Sequence, residues 1–257
     1  PPRSTLFPYT TLFRSNIGCA YLKQEGYTHA LLLGQDSIIE NESIMRLWNC
    51  IRNSQYAMVG PQITSSDKTE KPTFLIRTKH WFKKTTVGEN EIKEVYINIT
   101  SGSLLVLKVW HNVGGFWNEL FIEKVDDEFA IKLHKLKYKT VVVGNAYLTE
   151  PYGEMKVIKK YGVIWHPTFH KPWRLRLLYR NKEILKKQYF FSEFPFIVFQ
   201  ELSLIKRFVT ILMVEDQKLQ KSVSMISGTI MGMFQFIKRT DATECLKFER
   251  TVFLKKD

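Results

Sequence analysis

The chain has 257 residues, a hydrophobic fraction of 44% and a net charge of +13 at neutral pH. That composition excludes a disordered or fibrous chain and suits one large domain with an accessory region, while the charge calls for an anionic partner: phosphates, nucleic acid or an acidic membrane face. Cys19, Cys50 and Cys245 show no metal-like spacing and no disulfide framework, which fits a reducing compartment, and no apolar run approaches the ~18–20 residues of a spanning helix.

Residues 1–15, PPRSTLFPYTTLFRS, read as a translated sequencing adapter, one frame of which encodes all fifteen residues in order. They are set aside from the fold, and an upstream segment is expected before Asn16. Without Arg3 and Arg14 the charge is 13 − 2 = +11, still strongly basic. Ala20–Glu25 is a short helix candidate ending at Gly26. Tyr27–Gly34, YTHALLLG, reads as a buried strand leading into Gln35-Asp36-Ser37. A polar helix through Arg52 carries Ile44, Leu47, Trp48 and Ile51 on one face. Helix, strand, acid at the strand end, helix is the grammar of an α/β sheet whose ligand sits beyond the strand ends. Met58–Pro61, Phe74–Thr78 and Val95–Thr100 are expected strands, and Thr64–Lys71 a polar loop.

The most informative stretch is Ser101–Phe129, SGSLLVLKVWHNVGGFWNELFIEKVDDEF. Ser103–Val109 reads as a buried strand, and Gly114-Gly115 as a turn that tolerates positive φ. Asp126-Asp127-Glu128 opens a helix that ends in lysines, as the helix dipole favours, with Asp126 as its N-cap. Strands are expected at Tyr138–Val143 and Tyr147–Thr149. From His166 the character changes: a connecting loop to Trp173, a basic helix over Arg174–Gln188 and an aromatic, aliphatic stretch to Glu215. Ile226, Ile230, Met233, Phe234 and Ile237 then form a helical stripe. It suits either packing on the first domain or an amphipathic surface lying on anionic lipid. Gly228 and Gly232 make a GxxxG outside an apolar 20-mer, a weak signal. The resulting division is 1–15 adapter, 16–165 catalytic, 166–240 basic and amphipathic helical, and 241–257 tail.

Asn16-x-Gly18-x-Ala20, LLLGQDS, SGSLLVL…VGGF…LFIEKVDDEF, YKTVVVGNAYLTEPYG and RLLYRN, in that order, resemble the family-2 glycosyltransferases, most closely the bacterial rhamnosyltransferase-type branch. The resemblance covers about Asn16–Asn181. It implies an α/β GT-A fold, here missing its first strand and followed by a C-terminal helical region. It also implies metal-dependent, inverting sugar transfer from a nucleotide-sugar donor to a saccharide or lipid-linked acceptor, in cell-surface polysaccharide synthesis such as O-antigen. Asp36 matches the family's metal ligand, with Mg²⁺ or Mn²⁺ as the cation, and Asp126 matches the catalytic base. A helix N-terminus is expected to hold Asp126 ionised. Asn16, Gly18, Gln35, Ser37, Ser101, Gly102, Ser103, Trp117 and Asn118 match segments that line donor and acceptor, and Arg180 is a candidate for diphosphate or lipid phosphate.

Two positions depart from the pattern. Gly34 stands where the family usually has the first acid of its Asp-Gln-Asp-Ser strand end. Glu150, before Gly153, stands where a histidine is common; a glutamate can still ligate a hard cation. The alternative is therefore a catalytically degenerate relative that binds sugar or lipid without turnover. With the nucleotide-contacting first strand expected upstream, the chain as given should bind donor poorly. A cytoplasmic position, peripheral to the inner face of the cell membrane, follows from the resemblance and the charge. No helix-turn-helix, zinc or RNA-binding motif is present, so nucleic acid is not an expected partner.

Overall fold

The computed structural model describes residues 11–34, 36–64, 72–149 and 157–235, with side chains from Ser15 onward. Expectations placed on residues 1–10, Gln35, 65–71, Glu150, Gly153, Ile237 and 241–257 lie outside the described residues.

Helix α1 (Thr11–Gln24) leads to strand β1 (His29–Leu31), strand β2 (Ile38–Ile39) and helix α2 (Asn41–Ile51). Strands β3 (Tyr56–Thr64), β4 (Phe74–Arg77), β5 (Phe82–Thr85) and β6 (Ile92–Glu94) follow. Strand β7 (Leu104–Val106) runs straight into helix α3 (Leu107–Asn112), and a 3₁₀ turn at Asn118–Leu120 precedes helix α4 (Val125–Lys135). After β8 (Lys139–Thr149) and the β9 (Ile158–Lys160)–β10 (Val163–Trp165) hairpin come three helices, α5 (Pro172–Tyr189), α6 (Phe194–Val214) and α7 (Lys218–Phe234).

The main sheet has the order β1-β7-β3-β8-β2, with β6 also on β8. β3 and β8 are parallel, and the other pairings are antiparallel. Neighbouring residues on one strand feed opposite layers, as a period of two requires. Leu104 and Val59 pack with Leu47 and Ile51 of α2, whereas Leu105 and Met58 pack with α3 and α4 through Trp110, Phe129 and Ile131. Helices cover both faces, and the class is α/β with a C-terminal helical region.

Three local differences from the sequence reading have physical causes. The strand expected over Ser103–Val109 stops at Val106, because a helix from Leu107 buries Leu107, Val109 and Trp110. The strand expected over Val95–Thr100 is an irregular crossing. There the Val95 amide donates to the Thr140 carbonyl at 3.0 Å and the Asn98 side-chain amide to the Val141 carbonyl at 3.0 Å, which satisfies the segment without a ladder. The helix expected from Ala20 already runs from Thr11, with Asn16, Cys19 and Ala20 on its buried face.

The C-terminal helices share one core with the preceding α/β part through Ile184, Leu185, Tyr189, Phe196 and Ile197. The buried face of α7 is Lys221, Met225, Gly228 and Gly232, while Ile226, Ile230, Met233 and Phe234 are more than half exposed. A Cβ on Gly228 would lie 2.2 Å from the Arg176 carbonyl oxygen, and one on Gly232 2.4 Å from that of Arg180. The GxxxG pair is therefore the seam that lets α7 reach the backbone of α5, and the apolar stripe faces outward.

Candidate active site

Three loops meet at the C-terminal end of β1. The turn after β1 carries Asp36, exposed, and Ser37, whose hydroxyl lies 2.8 Å from that of Ser101. The 99–103 turn is fixed on β1 from both sides. The Gly102 amide donates to the Leu32 carbonyl at 2.7 Å, and the Leu32 amide to the Ser103 carbonyl at 3.0 Å. Gly102 has φ +74°, and a Cβ there would lie 2.9 Å from Leu148 and from Pro61 side-chain atoms. Ser103 is fully buried and donates its hydroxyl to the Ile99 carbonyl at 2.6 Å, so its side chain serves the turn.

Next to Ser101, Thr100 holds Asp126. Its hydroxyl donates to Asp126 Oδ1 at 2.8 Å and its amide to the same oxygen at 3.3 Å. The route Asp36–Ser37···Ser101–Thr100···Asp126 thus joins the two acids singled out in sequence. Their neighbours behave differently. Asp127 pairs with Lys124 at 2.7 Å, and Glu128, fully buried, pairs with Lys132 at 2.9 Å and accepts from the Tyr189 hydroxyl at 2.8 Å. Asp126 has no cationic partner among the described residues.

The N-cap expected at Asp126 is not found. Lys124 holds the cap position in a left-handed conformation, and Asp126 sits in the first turn with its carboxylate on Thr100. Nor does the helix end hold its pKa down. Burial, with help from the Asp127 and Glu123 charges, outweighs the Thr100 hydrogen bonds and raises the carboxyl from 3.8 to about 6.

The 116–118 loop is built on Asn16, which is fully buried. Its Oδ1 accepts from the Phe116 amide at 2.9 Å and the Trp110 indole at 3.0 Å; its Nδ2 donates to the Phe116 carbonyl at 2.8 Å and to Asn118 Oδ1 at 2.7 Å. Every one of those bonds is spent on the protein, so Asn16 shapes the loop that presents Trp117 and Asn118. The Trp117 indole N–H is buried and has no acceptor among the described residues. Gly18 lies on α1, and a Cβ there would meet nothing within 4 Å among the described residues.

Between that loop and α4, Phe121, Glu123 and Lys124 have φ of 67°, 64° and 66°. None is glycine, and each such residue costs of order 1–3 kcal/mol and persists only where its surroundings impose it. Helix α5 imposes it. Arg180, expected to face phosphate, is buried and donates to the Glu119 and Leu120 carbonyls at 3.1 Å each. Sequence reasoning missed Thr100, Asn181 and Gln200, which accepts from Lys124 and donates to Asp127 at 3.3 Å. Thr100 directly precedes the Ser101-Gly102-Ser103 motif and Asn181 ends RLLYRN, whereas Gln200 lies outside every matched motif. Among the described residues no three His, Cys, Asp or Glu side chains gather as a preformed cation site, and no helix is long and apolar enough to cross a membrane.

No family model matches the chain. Over 176 residues it is 26% identical to a dTDP-rhamnosyl transferase, RfbF, of Shigella flexneri, in an alignment covering 67% of this chain and 58% of that protein. The chain spans a little over half the length of this curated relative. Among solved structures, a crystal structure of GalNAc-T7 with UDP, GalNAc and Mn²⁺ aligns with 98% of this chain and 45% of its own, at 10% identity and a TM-score of 0.47.

Proposed function

We propose that this chain carries the catalytic centre of an inverting, GT-A-type glycosyltransferase. It moves rhamnose, or a similar sugar, from a nucleotide diphosphate donor to a hydroxyl of a saccharide or lipid-linked acceptor. The observation that carries this reading is the isolation of Asp126. Of three consecutive acids it alone lacks a cation, and its pKa of about 6 suits a base working near neutral pH. The similarity to a dTDP-rhamnosyl transferase supports the sugar and a deoxythymidine diphosphate donor.

In the reaction the acceptor oxygen bonds to the anomeric carbon as the carbon–oxygen bond to diphosphate breaks, and the diphosphate leaves with that electron pair. Asp126 takes the acceptor's proton. Asp36, exposed at the strand end, fits a hard cation held by one or two carboxylates together with donor phosphates. Mg²⁺ or Mn²⁺ there would neutralise the charge developing on the departing diphosphate. Trp117 offers its unpaired indole N–H to a sugar hydroxyl, and Asn118 lies beside it on the loop pinned by Asn16.

A membrane-peripheral position on the cytoplasmic side, in cell-surface polysaccharide assembly, belongs to the same proposal. Its support is the net positive charge and the outward apolar residues of α6 and α7, among them Leu202, Ile205, Leu219, Val223, Ile226 and Ile230. The test is release of nucleotide diphosphate by the full-length protein from a panel of nucleotide sugars, with and without chelator, beside Asp36→Asn. Turnover of one deoxythymidine diphosphate sugar, lost with chelator and reduced at least tenfold in D36N, supports the reading. Silence across the panel with acceptor present favours the non-catalytic relative.

A further inference from the structure

The left-handed turn ahead of α4 has a single polar anchor within reach of most of its carbonyls. Asn181 of α5 is fully buried, and its Nδ2 donates to the carbonyls of Leu120 at 2.7 Å, Ile122 at 2.7 Å and Glu123 at 2.9 Å. Two amide hydrogens shared among three carbonyls make a clamp that no apolar residue could replace. The orientation of the amide is itself fixed. Arg180 Nε donates to Asn181 Oδ1 at 2.8 Å, so the NH₂ end must face the turn. The same arginine reaches the Glu119 and Leu120 carbonyls, and Arg174 of α5 pairs with Glu123. Four of the five residues from Glu119 to Glu123, all but Phe121, are thereby bonded to one helix.

That turn ends at Lys124, two residues before Asp126. We propose that Asn181 is a positioning residue for Asp126: by clamping the 120–123 turn to α5 it holds the first turn of α4 against Thr100. The proposal rests on the reading of Asp126 as the base and adds what places it. The charged groups around Asp126 are set by the same clamp. Glu123 and Asp127 raise its pKa, while Lys124 is committed to Asp127 and Arg174 to Glu123. Releasing the turn admits water to the carboxyl, removes Glu123 from its place and loosens the contact with Thr100.

The experiment is a cycle of wild type, Asn181→Ala, Asp126→Asn and the double variant, each followed by thermal melting between pH 4 and pH 8 and by turnover. In the wild-type background D126N is expected to raise the melting temperature at pH 7 relative to pH 4. With N181A that pH-dependent gain should disappear, turnover at pH 7 should fall about 10- to 100-fold with donor KM changed less than about threefold, and the acid limb near pH 6 should move to lower pH. A gain that persists undiminished in N181A, with an unmoved acid limb, overturns the proposal. If D126N keeps wild-type turnover while the coupling is present, the base assignment fails and the clamp stands. Should N181A not fold, Asn181→Ser, whose hydroxyl serves one carbonyl, carries the same comparison.

Discussion

Thr100 gives two hydrogen bonds to one oxygen of Asp126, its hydroxyl at 2.8 Å and its amide at 3.3 Å, both on Oδ1. Oδ2 is left without a donor among the described residues, and it is the oxygen that the proposed reaction would use to take the acceptor's proton. Thr100→Val removes the stronger bond at nearly constant volume. A hydrogen bond to a charged group is worth about 1.5–3 kcal/mol, so the acid limb of the pH–rate profile should rise from about pH 6 toward pH 7. Nucleotide diphosphate release measured across pH 5 to 9 checks it: the loss should be larger at pH 6 than at pH 8.

The same carboxyl makes a stability prediction of unusual sign. Its folded pKa, about 6, lies above the ordinary 3.8, so the folded state binds the proton more tightly than the unfolded state does. Stability from this group is therefore full below about pH 4 and is lost as pH rises through about 6. Asp126→Asn should be neutral to stability near pH 4 and stabilising by about 1–3 kcal/mol at pH 7, a shift of several degrees in Tm. Calorimetry at the two pH values decides it.

Asn16→Ala separates a structural from a ligand-binding role. The substitution orphans the Phe116 amide and carbonyl and the Trp110 indole, each at a cost of about 1–3 kcal/mol when buried. The predicted outcome is a loss of at least about 3 kcal/mol in urea unfolding. A direct donor contact would instead raise KM and leave the unfolding midpoint in place.

Three glycines on helices should respond in opposite directions to alanine. Gly228→Ala and Gly232→Ala push a methyl to 2.2 and 2.4 Å from α5 carbonyl oxygens, and overpacking of that kind costs about 1–3 kcal/mol. Gly18→Ala meets open space and should stabilise by about 0.5–1 kcal/mol. Thermal melts of the three variants test the packing of α7 and α1 together.

Much of this was legible in the chain, and what was not has a common cause. The α/β order, the acid at the end of β1 and the acids opening α4 follow from local pattern, since period and turn chemistry are properties of neighbouring residues. What the sequence does not show for Asn16, Arg180 and Ser103 is that all three spend polar atoms on protein groups, Asn16 and Arg180 across about 60 to 100 residues of sequence. Asn181 and Thr100 were missed for the same reason. The α7 stripe suited either a packing face or an amphipathic outer surface, because apolar periodicity marks a buried side only when something covers it. Here the glycines make the contact, and hydropathy does not register them. Asp126 is the subtlest case: the helix start was readable, but the raised pKa arises from burial and from Glu123 and Asp127, which pattern alone does not weigh.

The first measurement to make is kcat at pH 7 for Asp126→Asn beside wild type, on the donor that the full-length protein accepts, with folding of the variant confirmed by its melt. Removal of a general base typically costs 10²–10⁴-fold, so a loss of at least about a hundredfold in a protein as stable as wild type, or more so, is the predicted result. An amide at position 126 that sustains wild-type turnover would contradict the assignment of Asp126 as the base.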